Sequence, residues 1–337
     1  MQLIKTPTKG MNDYLPRETR LREYVKGVII RAYEKNGFSM IETPAVEHIE
    51  NLTGKNGGDN EKLIFKIMKR GEKLNEAAGN DAELCDSGLR YDLTVPLSRY
   101  YANNQAKLPS PFMAMQIGNV WRADRPQKGR FRQFTQCDID ILGDSTQLAE
   151  ITLISATTGV LRELGFDNFT VRINDRRLLK VCADYCGFKP EDCDKVFITL
   201  DKMDKIGLDG VKRELVEEGF DEASVEKYVA LYENCDAVSV SEFAADRLGG
   251  NGADIAASLE SIMRCATAAT AGGCSLKFDP TLVRGMSYYT GTIFEISMDG
   301  YGYSVGGGGR YDEMLAKFSG QKTPACGFSL GFERIVA

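Results

Sequence analysis

Residues 118–140 read GNVWRADRPQKGRFRQFTQCDID. A basic loop stands between two stretches that read as strands, and this strand, loop, strand unit predicts a fold built on a sheet. Between Trp121 and Gln133 lie five basic residues (Arg122, Arg125, Lys128, Arg130 and Arg132) and one acid, Asp124. The chain as a whole carries a formal charge of −6. Local positive charge steers ligands even when the net charge opposes them, so this loop is where an anion is expected to dock. After the loop, Phe134, Gln136, Asp138 and Asp140 share one face of a strand, and Thr135, Cys137, Ile139 and Ile141 the other. Polar groups in a row are costly if buried without partners, so that face meets either water or a polar ligand.

At 337 residues the chain has room for two domains, or for one large domain carrying an insertion. With 43% hydrophobic and 27% charged residues it has the composition of a soluble globular protein. No window approaches eighteen uninterrupted apolar residues, and MQLIKTPTKGMNDYLP at the N-terminus has no apolar h-region. Neither a membrane span nor a secretory signal is expected. Nine cysteines, an odd and scattered set without a CxxC pair, predict reduced thiols in a cytoplasmic protein. Cys182, Cys186 and Cys193 cluster, but the one histidine, His48, is distant in sequence. Buried filler is expected there, and no metal site.

Leu21, Val25, Val28, Ile29, Ala32 and Tyr33 recur at three- and four-residue spacings and predict an amphipathic helix over 17–36, closed by Gly37. GFSMIETPAVE predicts a strand that ends or bends at Pro44, at an edge or a subunit contact. LIFKIM predicts a hairpin in the polar region 54–86. In LRYDLTVPLSRYYANN the alternation of Leu93, Val95 and Leu97 suggests a strand with Asp92 and Thr94 on its other face. That pair fits a grip on an ammonium group and a solvated strand edge equally well. A second amphipathic helix is expected over 145–164, and FTVRIN as a strand. From 176 to 270 helical patterns follow one another and predict an insertion domain. Residues 1–175 and 271–337 then form the remaining core. GTIFEISM and YGYSV, separated by Asp299 and Gly300, predict a tight hairpin. Gly306 to Gly309 lead into an expected helix near Arg310 but form neither GxGxxG nor a P-loop. ACGFSLGFERIVA predicts a short strand, Gly331, and a helix start bearing Arg334.

These segments together resemble the catalytic core of the histidyl-tRNA synthetases, a class II aminoacyl-tRNA synthetase family. GFSMIETPAVE is similar to motif 1, WRADRPQKGRFRQF to motif 2 and GFSLGFERI to motif 3. RGMSYYTGTIFE and GGGGRYD resemble two motifs peculiar to the histidyl group. The resemblance implies an α+β fold, a class II antiparallel sheet flanked by helices with a helical insertion domain. It also implies the reaction: histidine and ATP give histidyl-adenylate and pyrophosphate, and the histidyl group then passes to tRNA(His). Neither step needs a protein nucleophile; both need fixed positive charge and a polar cage.

By the same resemblance Arg122 and Arg284 hold the α-phosphate from two sides, and Arg130 and Arg334 take the outer phosphates. Phe134 stacks under adenine. Asp92, Thr94 and Gln136 hold the histidine ammonium and carboxylate, with Arg284 beside them, and Asp140, Tyr288 and Tyr289 surround the imidazole. Arginine suits phosphate because its planar fork stays charged. Ser287 stands where members of the family often carry Asp, which bears on the support of Arg284 or Tyr289. Motif 1 implies a homodimer, and ATP implies Mg²⁺. The chain stops after motif 3, where the family continues into an anticodon-binding domain, so a catalytic fragment that forms adenylate but charges tRNA poorly is expected. The rival reading is the histidine-binding regulatory subunit of ATP phosphoribosyltransferase, which has no synthetase activity. Arg122, Arg130, Arg284 and Arg334 have no evident use in such a subunit.

Overall fold

The computed structural model describes residues 3–53, 59–80, 83–126, 130–235, 238–285 and 288–337. The chain begins with α1 (Pro16–Lys35), β1 (Ser39–Met40), β2 (Val46–His48), α2 (Ile49–Leu52), β3 (Lys66–Met68), α3 (Glu72–Glu76), β4 (Cys85–Leu89) and α4 (Thr94–Asn104). β5 (Phe112–Trp121) and β6 (Gln133–Leu142) flank the basic loop, followed by α5 (Leu148–Glu163) and β7 (Phe169–Asp175). Helices fill the next stretch: α6 (Arg176–Tyr185), α7 (Cys193–Leu200), α8 (Met203–Glu217), α9 (Glu222–Leu231), α10 (Val240–Glu242) and α11 (Ala253–Ala269). β8 (Ser275–Phe278), β9 (Thr292–Met298), β10 (Ser304–Arg310), α12 (Ala316–Ser319), β11 (Ala325–Gly331) and α13 (Phe332–Val336) complete it.

One sheet has eight strands in the order β1, β5, β6, β11, β10, β9, β7, β8; β2, β4 and β3 form a small second sheet. The large sheet is mixed rather than purely antiparallel. β9 pairs antiparallel with β10 and with β7, whereas β1 with β5 and β7 with β8 are parallel. A parallel pair needs a long crossover, and both pairs have one: the small sheet and α4 precede β5, and helices α6 to α11 precede β8.

Contacts divide the chain into two units, Met1–Ile139 with Lys317–Gln321 and Ser329–Ala337, and Asp140–Ala316 with Lys322–Phe328. In the first unit α1 opens with Pro16 at its first turn and buries Val25, Val28, Ile29, Ala32 and Tyr33. Leu21, expected on that stripe, is 48% exposed, and Arg22 is buried in its place. The charge is tolerated there because Glu333 pairs with it. The expected motif 1 strand is split: β1 lies at an edge of the large sheet and β2 in the small one. Pro44, between them, has no N–H to continue a ladder. The stretch from Asp92 onward, expected as a strand, is instead the start of α4. Asp92 Oδ1 accepts the Val95 N–H at 3.0 Å, and Pro96 falls in the first turn, where a missing N–H costs no helix bond.

In the second unit the β9–β10 hairpin forms, but its second strand starts at Ser304, and 299–303 connect the two. Gly300 takes φ +80° in that connection. No helix begins at Arg310, because the four glycines belong to β10. A Cβ on Gly308 would lie 2.0 Å from the Gly327 carbonyl oxygen, and one on Gly309 2.6 Å from that of Thr292. Glycine here permits close strand packing. Helix α5 starts at Leu148, later than expected, after a turn in which Asp144 Oδ1 accepts the Thr146 N–H. The helical stretch has an aromatic core, with ring contacts running from Phe220 and Phe188 through Tyr228, Tyr232 and Phe243 to Phe278.

Candidate active site

The first unit brings together Asp92, Thr94, Arg122, Phe134 and Gln136 on three neighbouring features: the start of α4, the end of β5 and the start of β6. Arg122 leaves β5 with its N–H on the Arg132 carbonyl at 2.8 Å, which closes the base of the loop. Its Nε donates to the Tyr91 carbonyl at 2.9 Å, and its Cζ lies 5.1 Å from the Phe134 ring centroid. The guanidinium is therefore oriented by backbone and ring. Asp92 is buried, and burial pushes its pKa up to about 6, against the pull of the Val95 N–H and Arg122. Its Oδ2 is buried with no hydrogen-bond partner among the described residues. Gln136 donates from Nε2 to Ser329 Oγ at 3.2 Å, while its Oε1 is buried and likewise without a partner among them.

Arg130 is exposed beyond the loop; Lys128 lies outside the described residues. The loop is held by Arg132, whose N–H donates to the Gly10 carbonyl and whose Nε donates to that of Asp124. A Cβ on Gly10 would meet Pro126 and Arg132 at 2.8 and 2.9 Å, so the N-terminal segment lies against the loop at a glycine. Arg334 stands on α13, half-buried, next to Glu333. Glu333 takes both Nη groups of Arg22 and the Thr135 N–H, which fixes the start of α13.

The second unit holds Asp140, Arg284, Tyr288 and Tyr289. The Tyr311 hydroxyl donates to Asp140 Oδ1 at 2.6 Å. The Tyr288 ring lies 4.8 Å from Tyr289 and 6.0 Å from Tyr311, centroid to centroid. A Cβ on Gly327 would fall 2.0 Å from Asp140 Oδ1, so only glycine leaves room for this carboxylate. Burial and the neighbouring Asp140 push the Tyr311 phenol well above its ordinary range, which keeps it a donor. Arg284 donates from Nη1 to Glu295 Oε2 at 2.5 Å. Its Nε is buried and has no partner among the described residues. Burial acts to lower the pKa of Arg284, but Tyr289 and Glu295 outweigh it and the guanidinium stays charged. Ser287 lies outside the described residues.

Sequence reasoning missed Tyr311 and Glu295. Tyr311 was within reach, as the tyrosine of GGGGRYD. Glu295 gave no signal, because a single acid on an apolar strand reads as solvent-facing.

The mixed sheet, with its helical stretch between β7 and β8, is that of a class II aminoacyl-tRNA synthetase; it superposes on the crystal structure of histidyl-tRNA synthetase from Nostoc sp. PCC 7120 with a TM-score of 0.83 at 27% identity, over 99% of this chain and 75% of that one. The family model described as Histidyl-tRNA synthetase matches residues 10–335. Histidine--tRNA ligase of Leifsonia xyli subsp. xyli (strain CTCB07) is 49% identical, the match covering 98% of this chain and 79% of the relative. The enzyme of the same name from Flavobacterium johnsoniae is 36% identical, over 97% of this chain and 76% of that one. The chain belongs to the histidyl-tRNA synthetase family.

Proposed function

We propose that this chain is a histidine–tRNA ligase: it activates histidine with ATP to histidyl-adenylate and transfers the histidyl group to tRNA(His). The observation that carries this reading is a pair of buried acceptors within the first unit, Asp92 Oδ2 and Gln136 Oε1, that have no hydrogen-bond partner among the described residues. Buried polar groups are normally satisfied, so each is spare capacity for a ligand. Two buried acceptors match the donors of an amino acid's ammonium group.

In this reading Asp92, Thr94 and Gln136 bind the histidine ammonium and carboxylate. Asp140, with its oxygen held by Tyr311, accepts from one imidazole nitrogen, and Tyr288 and Tyr289 complete the cage. Arg122 and Arg284 neutralise the α-phosphate as the histidine carboxylate attacks and pyrophosphate leaves. Phe134 stacks on adenine, while Arg130 and Arg334 take the outer phosphates. The gain is positional and electrostatic, as phosphoryl and adenylyl transfer require. Among the described residues no group of three or more His, Cys, Asp or Glu side chains is placed to hold a metal ion. Mg²⁺ is accordingly proposed as a companion of ATP, and no step is derived through it.

Residues 1–175 and 271–337 are proposed as the catalytic core and 176–270 as an insertion. A homodimer is proposed through α1 and the Pro44 segment, where Leu15, Leu21, Tyr24, Met40 and Val46 are exposed. Exposed apolar side chains along these segments favour a second copy as the cover. A cytoplasmic setting accords with the buried free thiols of Cys137, Cys182 and Cys326. Among the described residues no helix is long and apolar enough to cross a membrane. The test is a chase experiment: adenylate formed from labelled histidine should pass to tRNA(His) and not to a tRNA of another identity. Retention of label as free histidine and adenylate alone would remove the transfer step from this reading.

A further inference from the structure

Glu295 sits inside β9, and its partners in register are Arg172 on β7 and Gly307 on β10. Side chains directly opposite on neighbouring strands share a face of the sheet. The row is therefore a cation, a carboxylate and a gap. Arg284 fills the gap: a Cβ on Gly307 would come within 2.7 Å of its Nη1, 2.8 Å of Cζ and 2.9 Å of Nη2. The guanidinium lies across bare backbone that any side chain would occupy.

Glu295 divides its oxygens between the two arginines. Oε2 accepts from Arg284 Nη1 at 2.5 Å, and Oε1 from Arg172 Nη1 at 3.5 Å. Arg172 is itself held from Nε by Asp279 Oδ2 at 2.5 Å. Its Nη1 lies 3.9 Å from Asp204 Oδ2, at the start of α8. Asp201, where α7 ends, joins the same cluster: burial raises its pKa, Arg284 opposes the rise and Glu295 adds to it. Fixing Nη1 on Glu295 and seating the plane on Gly307 leaves Nε aimed in one direction, as orientation of a reacting anion demands.

We infer that Glu295 is a positioning residue for Arg284, and that Arg172 links that position to the α7–α8 corner, so the placement of the helical stretch sets how Arg284 meets its anion. This rests on the role proposed for Arg284.

Histidine-dependent ATP–pyrophosphate exchange by the full chain tests it. Glu295→Ala should lower kcat about 100-fold with KM for ATP within about threefold, the pattern of an interaction made in the transition state. Glu295→Gln, which keeps shape and an acceptor, should recover about tenfold of that loss, and it decides the matter should the alanine variant fail to fold. Arg172→Gln should lower kcat about tenfold, again sparing KM for ATP. In an Arg284→Ala background neither Glu295→Ala nor Arg172→Gln should cost more than about twofold further. Full kcat in folded Glu295→Ala, or in Glu295→Gln where the alanine variant does not fold, or losses that multiply with that of Arg284→Ala, would overturn the inference. Absence of exchange in the parent chain is a different outcome, which removes the role of Arg284 itself.

Discussion

Arg22 grips both oxygens of Glu333, Nη1 on Oε2 at 2.5 Å and Nη2 on Oε1 at 2.8 Å, and so ties α1 to α13 one residue before Arg334. Both side chains are about nine-tenths buried. Removing one partner of such a pair strands the other charge, at a cost of about 3–5 kcal/mol. Arg22→Ala should therefore lose about 3 kcal/mol of unfolding free energy in a denaturant titration. Arg22→Lys should lose less but still lose, because an ammonium cannot span both oxygens as the fork does. A loss near zero for Arg22→Ala would mean that water replaces the pair.

Asp92 predicts a pH-dependent trade between stability and binding. Its pKa in the fold is pushed up to about 6, above the ordinary carboxylate value of 3.8. A raised folded-state value means that the group's contribution to stability is full below about pH 4 and is lost as pH rises through about 6. Asp92→Asn keeps an acceptor for the Val95 N–H and removes the buried charge. The unliganded variant should exceed the parent by on the order of 2–3 kcal/mol at pH 7.5, the worth of a shift of about two pKa units, with the difference gone at pH 4. Its affinity for histidine should fall at least about tenfold at pH 7.5. Equal melting curves at both pH values would show that the carboxyl is not desolvated.

Gly327→Ala tests the seat of Asp140. A Cβ there would sit 2.0 Å from Oδ1, so the carboxylate must move. A displacement of about 1 Å in a binding group costs about 100-fold, and KM for histidine should rise by about 10- to 100-fold. An unchanged KM would mean that Asp140 takes no part in holding histidine.

Tyr311→Phe removes the hydroxyl that donates to Asp140 at 2.6 Å and leaves the ring contact with Tyr288 in place. Withdrawing a donor from a buried carboxylate costs about 1–3 kcal/mol, readable as a lower denaturation midpoint. Discrimination between histidine and an apolar analogue should narrow with it, since rejection depends on buried groups left unpaired. Stability equal to that of the parent would count against this network.

Motifs and long periodic helices were legible in the sequence because their signals are local. α1, α5, the strands on either side of the basic loop and the helical run from 176 to 270 all announce themselves by spacing. What was hidden depends on distant partners. Leu21 looked like the core residue of α1, but Arg22 is buried because Glu333, 311 residues away, neutralises it. The alternation around Asp92 suited a strand; an Asp92 to Val95 hydrogen bond and a first-turn proline make it a helix start. Gly306 to Gly309 looked like a loop before a helix, whereas the close approach of β11 and Arg284 explains them as strand. Glu295 and Arg172 carry no motif at all, and only the register of β9 with β7 brings them together.

The most direct measurement is histidine-dependent ATP–pyrophosphate exchange by the purified chain with Mg²⁺. The account predicts exchange that requires histidine, is not supported by other amino acids, and falls by at least about 100-fold in Arg122→Ala or Arg284→Ala, in line with the loss of an oriented charge at the reacting phosphate. Histidine binding by folded protein with no exchange at all would contradict it, and would assign the chain to histidine sensing instead.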